Sequence, residues 1–430
     1  MNLQGWKLLR IFADPRITRT PLRVLATLRR QGKRRMPDAA DRRVARGSLR
    51  PAWQLARHWL SGENLTRHHG QWVLNSFLPP FPSRAFDRMF ENLLSGRRLS
   101  PVSAFLAVTA ACPFDCPHCS AKARGHGNIT TEQWRQTVTE LLASGVSIVG
   151  FTGGEPLTRP DLPELVATAS DGGAATILFS SGAGFDAATA SRLRDAGLWA
   201  VCISLDHPDA ATCNRFRNSE QAYDTAVAAI RLAAAQGFYT MIGCVARRFL
   251  VENRDFERLH HLAGQWGVNE LRLVEPMPCG RWKEVPEEML LQPEHVAVLR
   301  DFHRGVNRRG LRPKVCAFNE IESPELFGCG GGTQHLYIDA AGEVCPCDFT
   351  PLSFGNVTRE PFAAIWTRMS EAMGNPRRHC FLQRHYRRIN AAAATAGQYP
   401  LPPEISCRLC AEIGREKLPD YFRMVTGREE

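Results

Sequence analysis

Between Val102 and Glu275, short apolar runs alternate with longer segments whose apolar residues recur every three or four positions. The runs Ala104–Thr109, Ser147–Thr152, Thr176–Ser180, Ala200–Leu205, Tyr239–Val245 and Glu270–Glu275 predict six strands. Thr131–Ala143, Asp161–Ser170, Ala187–Ala196, Ala222–Ala235 and Arg254–Trp266 carry the helical period between them. Such alternation predicts a parallel sheet, and right-handed crossovers curl it into a full or partial barrel. Chemistry in barrels of this kind collects at the C-terminal ends of the strands.

The flanks follow other patterns. Gly5–Ala13 and Pro21–Gln31 place Trp6, Leu9, Phe12, Leu22, Leu25 and Leu28 at helical spacing. Gln31–Arg50 is polar, basic and interrupted by Pro37, as a linker would be. Pro51–Leu60 and Ala85–Leu94 predict amphipathic helices on either side of the Pro-rich Leu78–Pro82. After about Leu311 the rhythm breaks, predicting short strands, cysteine-bearing loops and a polar tail. The expected division is a helical extension over 1–98, a barrel over 99–312 and a small cysteine-rich unit over 313–430.

Composition narrows the class. A chain of 430 residues, 44% hydrophobic and 23% charged, is an ordinary globular protein of two or three units. The net charge of +11 is confined to residues 1–50, which hold fourteen basic and three acidic side chains. Such a segment could pack on the barrel with a solvated basic face, or lie on an anionic membrane. Nothing resembling a groove reader or a stacking platform points to nucleic acid. With no apolar run of about 18 residues and no signal-like start, the expected location is the cytoplasm, with the inner membrane surface as a peripheral option. Fourteen cysteines in a chain neither small nor visibly secreted point to metal or iron–sulfur ligation rather than disulfides.

Cys112-Pro-Phe-Asp-Cys116-Pro-His-Cys119 follows the first strand directly. Three thiolates on one loop suit a [4Fe–4S] cluster whose fourth iron has no protein ligand. Zinc is the competing reading; it favours four ligands, and His118 is the one further local candidate. Cys202 and Cys244 fall inside strands, where small buried hydrophobes belong; Cys279 follows the last strand and could face a substrate.

The cysteine spacing, with the His118 ring before the third cysteine, resembles the radical S-adenosylmethionine (SAM) enzymes. Thr152-Gly153-Gly154-Glu155-Pro156 is similar to the family's GGEP segment, which implies that Gly153, Gly154 and Glu155 engage the SAM amino group. Ser180-Ser181-Gly182 stands where the family often has Thr-Asn-Gly near the ribose, with Ser181 a departure. Val201-Cys-Ile-Ser204-Leu-Asp206 with Arg217 resembles the fourth-strand signature, and implies that Ser204 and Arg217 hold the SAM carboxylate and ribose; His207 replaces the usual Gly. The resemblance implies reductive cleavage of SAM to a 5′-deoxyadenosyl radical that abstracts hydrogen from a substrate, with flavodoxin or ferredoxin as electron donor.

Cys329, Gly342 and Cys347, followed by Gly355-Asn356-Val357 and Ala364-Ile365-Trp366, resemble the opening of the SPASM/Twitch auxiliary-cluster domains. The chain has no cysteine beyond Cys410, so one auxiliary [4Fe–4S] cluster is the economical expectation, with zinc as the alternative. Its expected ligands are Cys329, Cys347, Cys407 and Cys410, with Cys345 and Cys380 as substitutes. The family implies a peptide, a sugar or cyclitol, or a lipid-like molecule as substrate. A non-catalytic iron–sulfur or zinc module for electron transfer or partner binding is the alternative function. The GGEP segment and the Ser204/Arg217 pair speak against it, because an electron carrier needs no SAM pocket.

Overall fold

The computed structural model describes residues 62–94, 100–127 and 129–426. The basic segment 1–50 and the helix expected over Pro51–Leu60 lie outside the described residues. Among the described residues, no helix is long and apolar enough to cross a membrane.

Two short strands, β1 (Thr66–His68) and β2 (Gln71–Val73), form an antiparallel hairpin. The barrel strands follow: β3 (Ser103–Thr109), β4 (Ile148–Gly153), β5 (Ala175–Ser180), β6 (Ala200–Ser204), β7 (Tyr239–Val245), β8 (Glu270–Val274) and β9 (Lys314–Ala317). These seven lie side by side in chain order, all parallel. The six expected strands and five expected helices are present within a residue or two of their predicted bounds. Parallel strands are covered on both faces, so their apolar runs stand out in the sequence. The outer helices bury Trp134, Leu141, Leu165, Ile230 and Phe256 against the sheet.

Three features depart from the sequence reading. First, β10 (His335–Ile338) pairs in parallel with β3, and β11 (Val344–Cys345) adds antiparallel beyond it. The sheet therefore has nine strands and runs across the expected 312/313 boundary. Second, the C-terminal unit is mainly helical, with helices Phe362–Met373, Phe381–Ala396 and Pro403–Ile413. Phe362, Ile365, Trp366, Met369 and Met373 form the buried stripe of the first of these, at helical spacing. Third, the extension, expected to be helical, contains the β1–β2 hairpin before its helix Arg84–Leu94. His69 and Gly70 both have positive φ at its turn, the requirement of a tight two-residue hairpin.

That hairpin segment closes the N-terminal end of the barrel. Val73 and Ala85 pack on Ile148, Ala175, Ile177, Ala200, Cys202, Tyr239 and Met241. Lys314, the first residue of β9, is fully buried and donates to the carbonyls of Val73 (2.7 Å) and Leu74 (3.0 Å). Burial pulls its pKa down to about 8, against the pull of Glu270 and Glu63. Glu270 in turn accepts from Tyr239 and from Ser76 of the plugging segment. Lys314→Met will leave two buried carbonyls without their donor. It is expected to lower unfolding stability by about 1–3 kcal/mol in urea titrations, the usual cost of buried acceptors left unsatisfied.

Candidate active site

The loop after β3 carries Cys112, Cys116 and Cys119 out of the sheet at its C-terminal end. Phe114 is buried beneath it, and the Cys119 amide closes a turn onto the Cys116 carbonyl at 3.3 Å. A second segment braces the loop from outside: Arg281 donates its amide to the Cys119 carbonyl (3.1 Å) and pairs with Asp115 at 2.8 Å. The three thiols are mutual neighbours. Burial pushes the Cys116 thiol up to about 11, and Cys119 and Cys112 add to that rise. Cys112 is raised by burial too, with Glu155 and Cys119 contributing. Thiols held this way give up their protons to an incoming metal rather than to water.

The Gly153-Gly154-Glu155 turn closes β4 against that loop. The Gly154 amide donates to Thr109 O and the Glu155 amide to Ala111 O, both at 2.7 Å. An added Cβ on Gly154 would lie 2.2 Å from Ala111 O, so only glycine allows this approach to the residue before Cys112. Gly154→Ala will push these backbones apart. The expected loss is about 1–3 kcal/mol in urea unfolding, the usual range for overpacking. Gly305→Ala is the control, because nothing lies within 4 Å of its added Cβ.

Glu155 is fully buried. Its carboxylate accepts from Ser180 Oγ (2.8 Å), Leu157 N (3.2 Å), Ser181 N (2.8 Å) and Ser181 Oγ (2.5 Å). Burial raises its pKa and these donors oppose the rise. Ser181, the departure from the family turn, thus clamps Glu155 to the end of β5.

Ser204 closes β6 opposite Gly243. Two residues on, Asp206 is fully buried; its Oδ1 takes the Val245 amide at 2.8 Å and its Oδ2 lies 2.6 Å from Arg217 Nη2. The Arg217 charge lowers the pKa of Asp206 against the effect of burial. Next to Arg217, the Phe216 ring stacks on His118 of the cysteine loop, centroids 4.1 Å apart and planes within 1°. Arg247 stands over the Phe216 ring at 3.7 Å. Burial pulls the pKa of His118 to about 4, so its ring is neutral at pH 7.

A second group of cysteines lies in the C-terminal unit. Gly332 donates its amide to Pro346 O (2.9 Å), bringing the Cys329 turn beside Cys347. The Cys329 amide donates to Arg377 O (2.7 Å), which brings in Cys380. Cys380 donates its thiol to Cys329, lowering the Cys329 pKa and raising its own, and burial pushes Cys347 up to about 12. Cys410 is buried with Sγ 3.7 Å from Met373 Sδ, and its thiol feels Arg377 and Cys407. Cys407 is half-buried beside Arg368 and Glu404. Cys345 pairs with Tyr337 across β10 and β11 and accepts from Arg124 Nη1 at 3.1 Å. Cys279 is buried within electrostatic reach of Cys119, Cys347 and Arg124, between the two groups.

Comparison with known proteins agrees with this layout. The family model for the radical SAM superfamily matches residues 106–263, and that for the SPASM iron-sulfur cluster-binding domain matches residues 329–392. The chain is a radical SAM protein with a SPASM domain. It is 28% identical over 285 residues to an AdoMet-dependent heme synthase of Methanosarcina barkeri, covering 60% of this chain and 80% of that one. It is 29% identical over 278 residues to a PqqA peptide cyclase of Streptomyces rochei, covering 62% of this chain and 76% of that one. Streptococcus suis SuiB, solved bound to precursor peptide SuiA, shares the fold at a TM-score of 0.52 and 13% identity, covering 75% of this chain and 78% of that one.

Radical SAM and SPASM domains imply [4Fe–4S] clusters and SAM, and the donor set fits. Cys112, Cys116 and Cys119 lie within electrostatic reach of one another on one loop. Cys329 is so placed to Cys347 and Cys380 from three separate segments, with Arg377 beside Cys329. Among the described residues no three of these side chains already stand in metal-binding geometry. Arg377 is 3% exposed, and its Nε and Nη1 have no hydrogen-bond partner. A buried cation of that kind suits a site that becomes anionic when metal and thiolates assemble there. Sequence reasoning missed Arg247 and Arg377, which carry no local signal. Ser181 and Asp206 stood within the quoted motifs, but without the roles that their contacts to Glu155 and Arg217 give them.

Proposed function

We propose that this chain is an enzyme that removes a hydrogen atom from an organic substrate by reductive cleavage of SAM. Radical SAM proteins are enzymes as a class, and the observation that carries the reading here is convergence at one mouth. The cysteine loop, the Gly153-Gly154 turn, Ser180, Ser204 and Arg217 all stand at the C-terminal ends of β3 to β6 or just beyond them. An electron carrier has no use for the last four of these elements.

Cys112, Cys116 and Cys119 would hold the first [4Fe–4S] cluster. The cluster and SAM, when bound, supply one electron and a 5′-deoxyadenosyl radical. The remaining work belongs to the protein. The Gly153-Gly154 backbone admits the SAM amino group, with Glu155 fixed behind it by Ser180 and Ser181. Ser204 and Arg217 would face the ribosyl portion of SAM, with Asp206 holding Arg217 in place. Phe216 and His118 form a flat apolar wall that keeps water from the reacting atoms.

Cys329, Cys347, Cys380 and Cys410 would hold one auxiliary [4Fe–4S] cluster, Cys380 taking the place expected of Cys407. Support comes from the thiol contact of Cys380 with Cys329 and from Arg377, which faces both Cys329 and Cys410. The relatives' names speak of heme synthesis and of peptide cyclisation at nearly equal identity, so the reading is one of reaction class. A flavodoxin or ferredoxin would supply the electron. The test is anaerobic reconstitution with iron and sulfide, reduction with dithionite, and assay for 5′-deoxyadenosine from SAM. Formation of that product is expected; a reconstituted protein that makes none would be an electron carrier instead.

A further inference from the structure

Two guanidinium groups stand at the mouth beside the cysteine loop, and one carboxylate serves them. Asp206 is committed on both oxygens, one to the Val245 amide and the other to Arg217. Arg247, two residues past β7, rests on Phe216 instead. Its Nε and Nη2 are buried and have no hydrogen-bond partner. Those two nitrogens form the guanidinium edge that takes a carboxylate in two parallel hydrogen bonds. Arg217 has Asp206 as its ion-pair partner, whereas the Arg247 guanidinium stands over Phe216 with no carboxylate of its own. A donor edge removed from water without an acceptor is costly, so the arrangement suits an anion that arrives with the ligand.

We propose that the Nε/Nη2 edge of Arg247 receives the methionyl carboxylate of SAM, the role that family resemblance assigns to Arg217. The inference rests on the reading of this mouth as a SAM site. Arg247 feels Asp206, Cys244 and Cys213, and it stands over Phe216, whose ring stacks on His118 and so places this guanidinium on the cysteine-loop side. That is the side on which SAM would chelate the cluster. Arg217 also has a buried Nε without a partner, but its Nη2 is paired with Asp206, which leaves it the ribosyl side rather than the two-nitrogen fork.

The test uses the reconstituted full chain and equilibrium dialysis against SAM and against decarboxylated SAM, without turnover. The wild type is expected to bind SAM and to prefer it over the decarboxylated form, which lacks both the carboxylate arm of the cluster chelate and the contact to Arg247. Arg247→Met should weaken SAM binding by about 10- to 100-fold, the value of a charge-assisted bidentate contact, while leaving decarboxylated SAM unchanged, so that the preference narrows by that factor. Arg247→Lys, which keeps the charge and loses the fork, should fall between them and guards against a methionine variant that fails to fold. Unchanged SAM affinity in both variants would overturn the inference, as would equal weakening for the two ligands, which would mark Arg247 as packing for Phe216. A wild type that binds no SAM would instead refute the underlying reading.

Discussion

Cys116→Ala will abolish formation of 5′-deoxyadenosine from SAM, a loss of at least about a thousandfold, because the difficult chemistry resides in the cofactor that this residue helps to hold. Three thiols on one loop are the whole protein contribution to such a cluster, and two cannot retain it. Iron should fall from about eight atoms per reconstituted chain to about four, with the auxiliary site untouched. The fold should survive. Cys116 is only half-buried, and its loop remains tied to the body through Phe114 and the Arg281 contacts. Circular dichroism of the variant therefore separates loss of cluster from loss of structure. Product that persists in Cys116→Ala would place the chemistry elsewhere.

Legibility in this chain followed distance along the sequence. Strands such as Ala200–Ser204 and Tyr239–Val245 read clearly because both faces are buried and their composition says so. The four-residue β9 did not, since it begins at Lys314 and follows Pro313. Its burial depends on the carbonyls of Val73 and Leu74, some 240 positions away. His335–Asp339 was legible as a strand, but no local feature announces that β10 pairs with Ser103–Leu106 and so fuses the C-terminal unit to the barrel sheet. The β1–β2 hairpin was missed because its strands are three residues long and mostly polar.

The site divides the same way. A CxxxCxxC loop and a GGEP turn are local patterns, and both stand where the sequence placed them, at the C-terminal end of the sheet. The significance of Arg247 and Arg377 lies in donors that lack partners, a property that exists only in three dimensions. Glu155 taught a related lesson. Its type was legible, but its saturation by Ser180 and Ser181 was not, and this makes it a clamp on the strand ends.

The auxiliary site yields the second large effect, and it separates spacing from geometry. Spacing favours the Cys407/Cys410 pair, because a CxxC is the familiar half of a metal site. Geometry favours Cys380: its thiol meets Cys329, whose turn is bonded to the Cys347 segment through Gly332 and Pro346. Cys407 lies on the helix Pro403–Ile413 with Arg368 and Glu404 as its charged neighbours, while Cys410, one turn on, points toward Met373 and Arg377. Cys380→Ala should therefore release the auxiliary iron, about four atoms per chain, and remove one of two low-temperature EPR signals after reduction. Cys407→Ala should keep both. If Cys407→Ala loses the iron and Cys380→Ala retains it, the CxxC pair is the ligand set and the contact between Cys380 and Cys329 is packing.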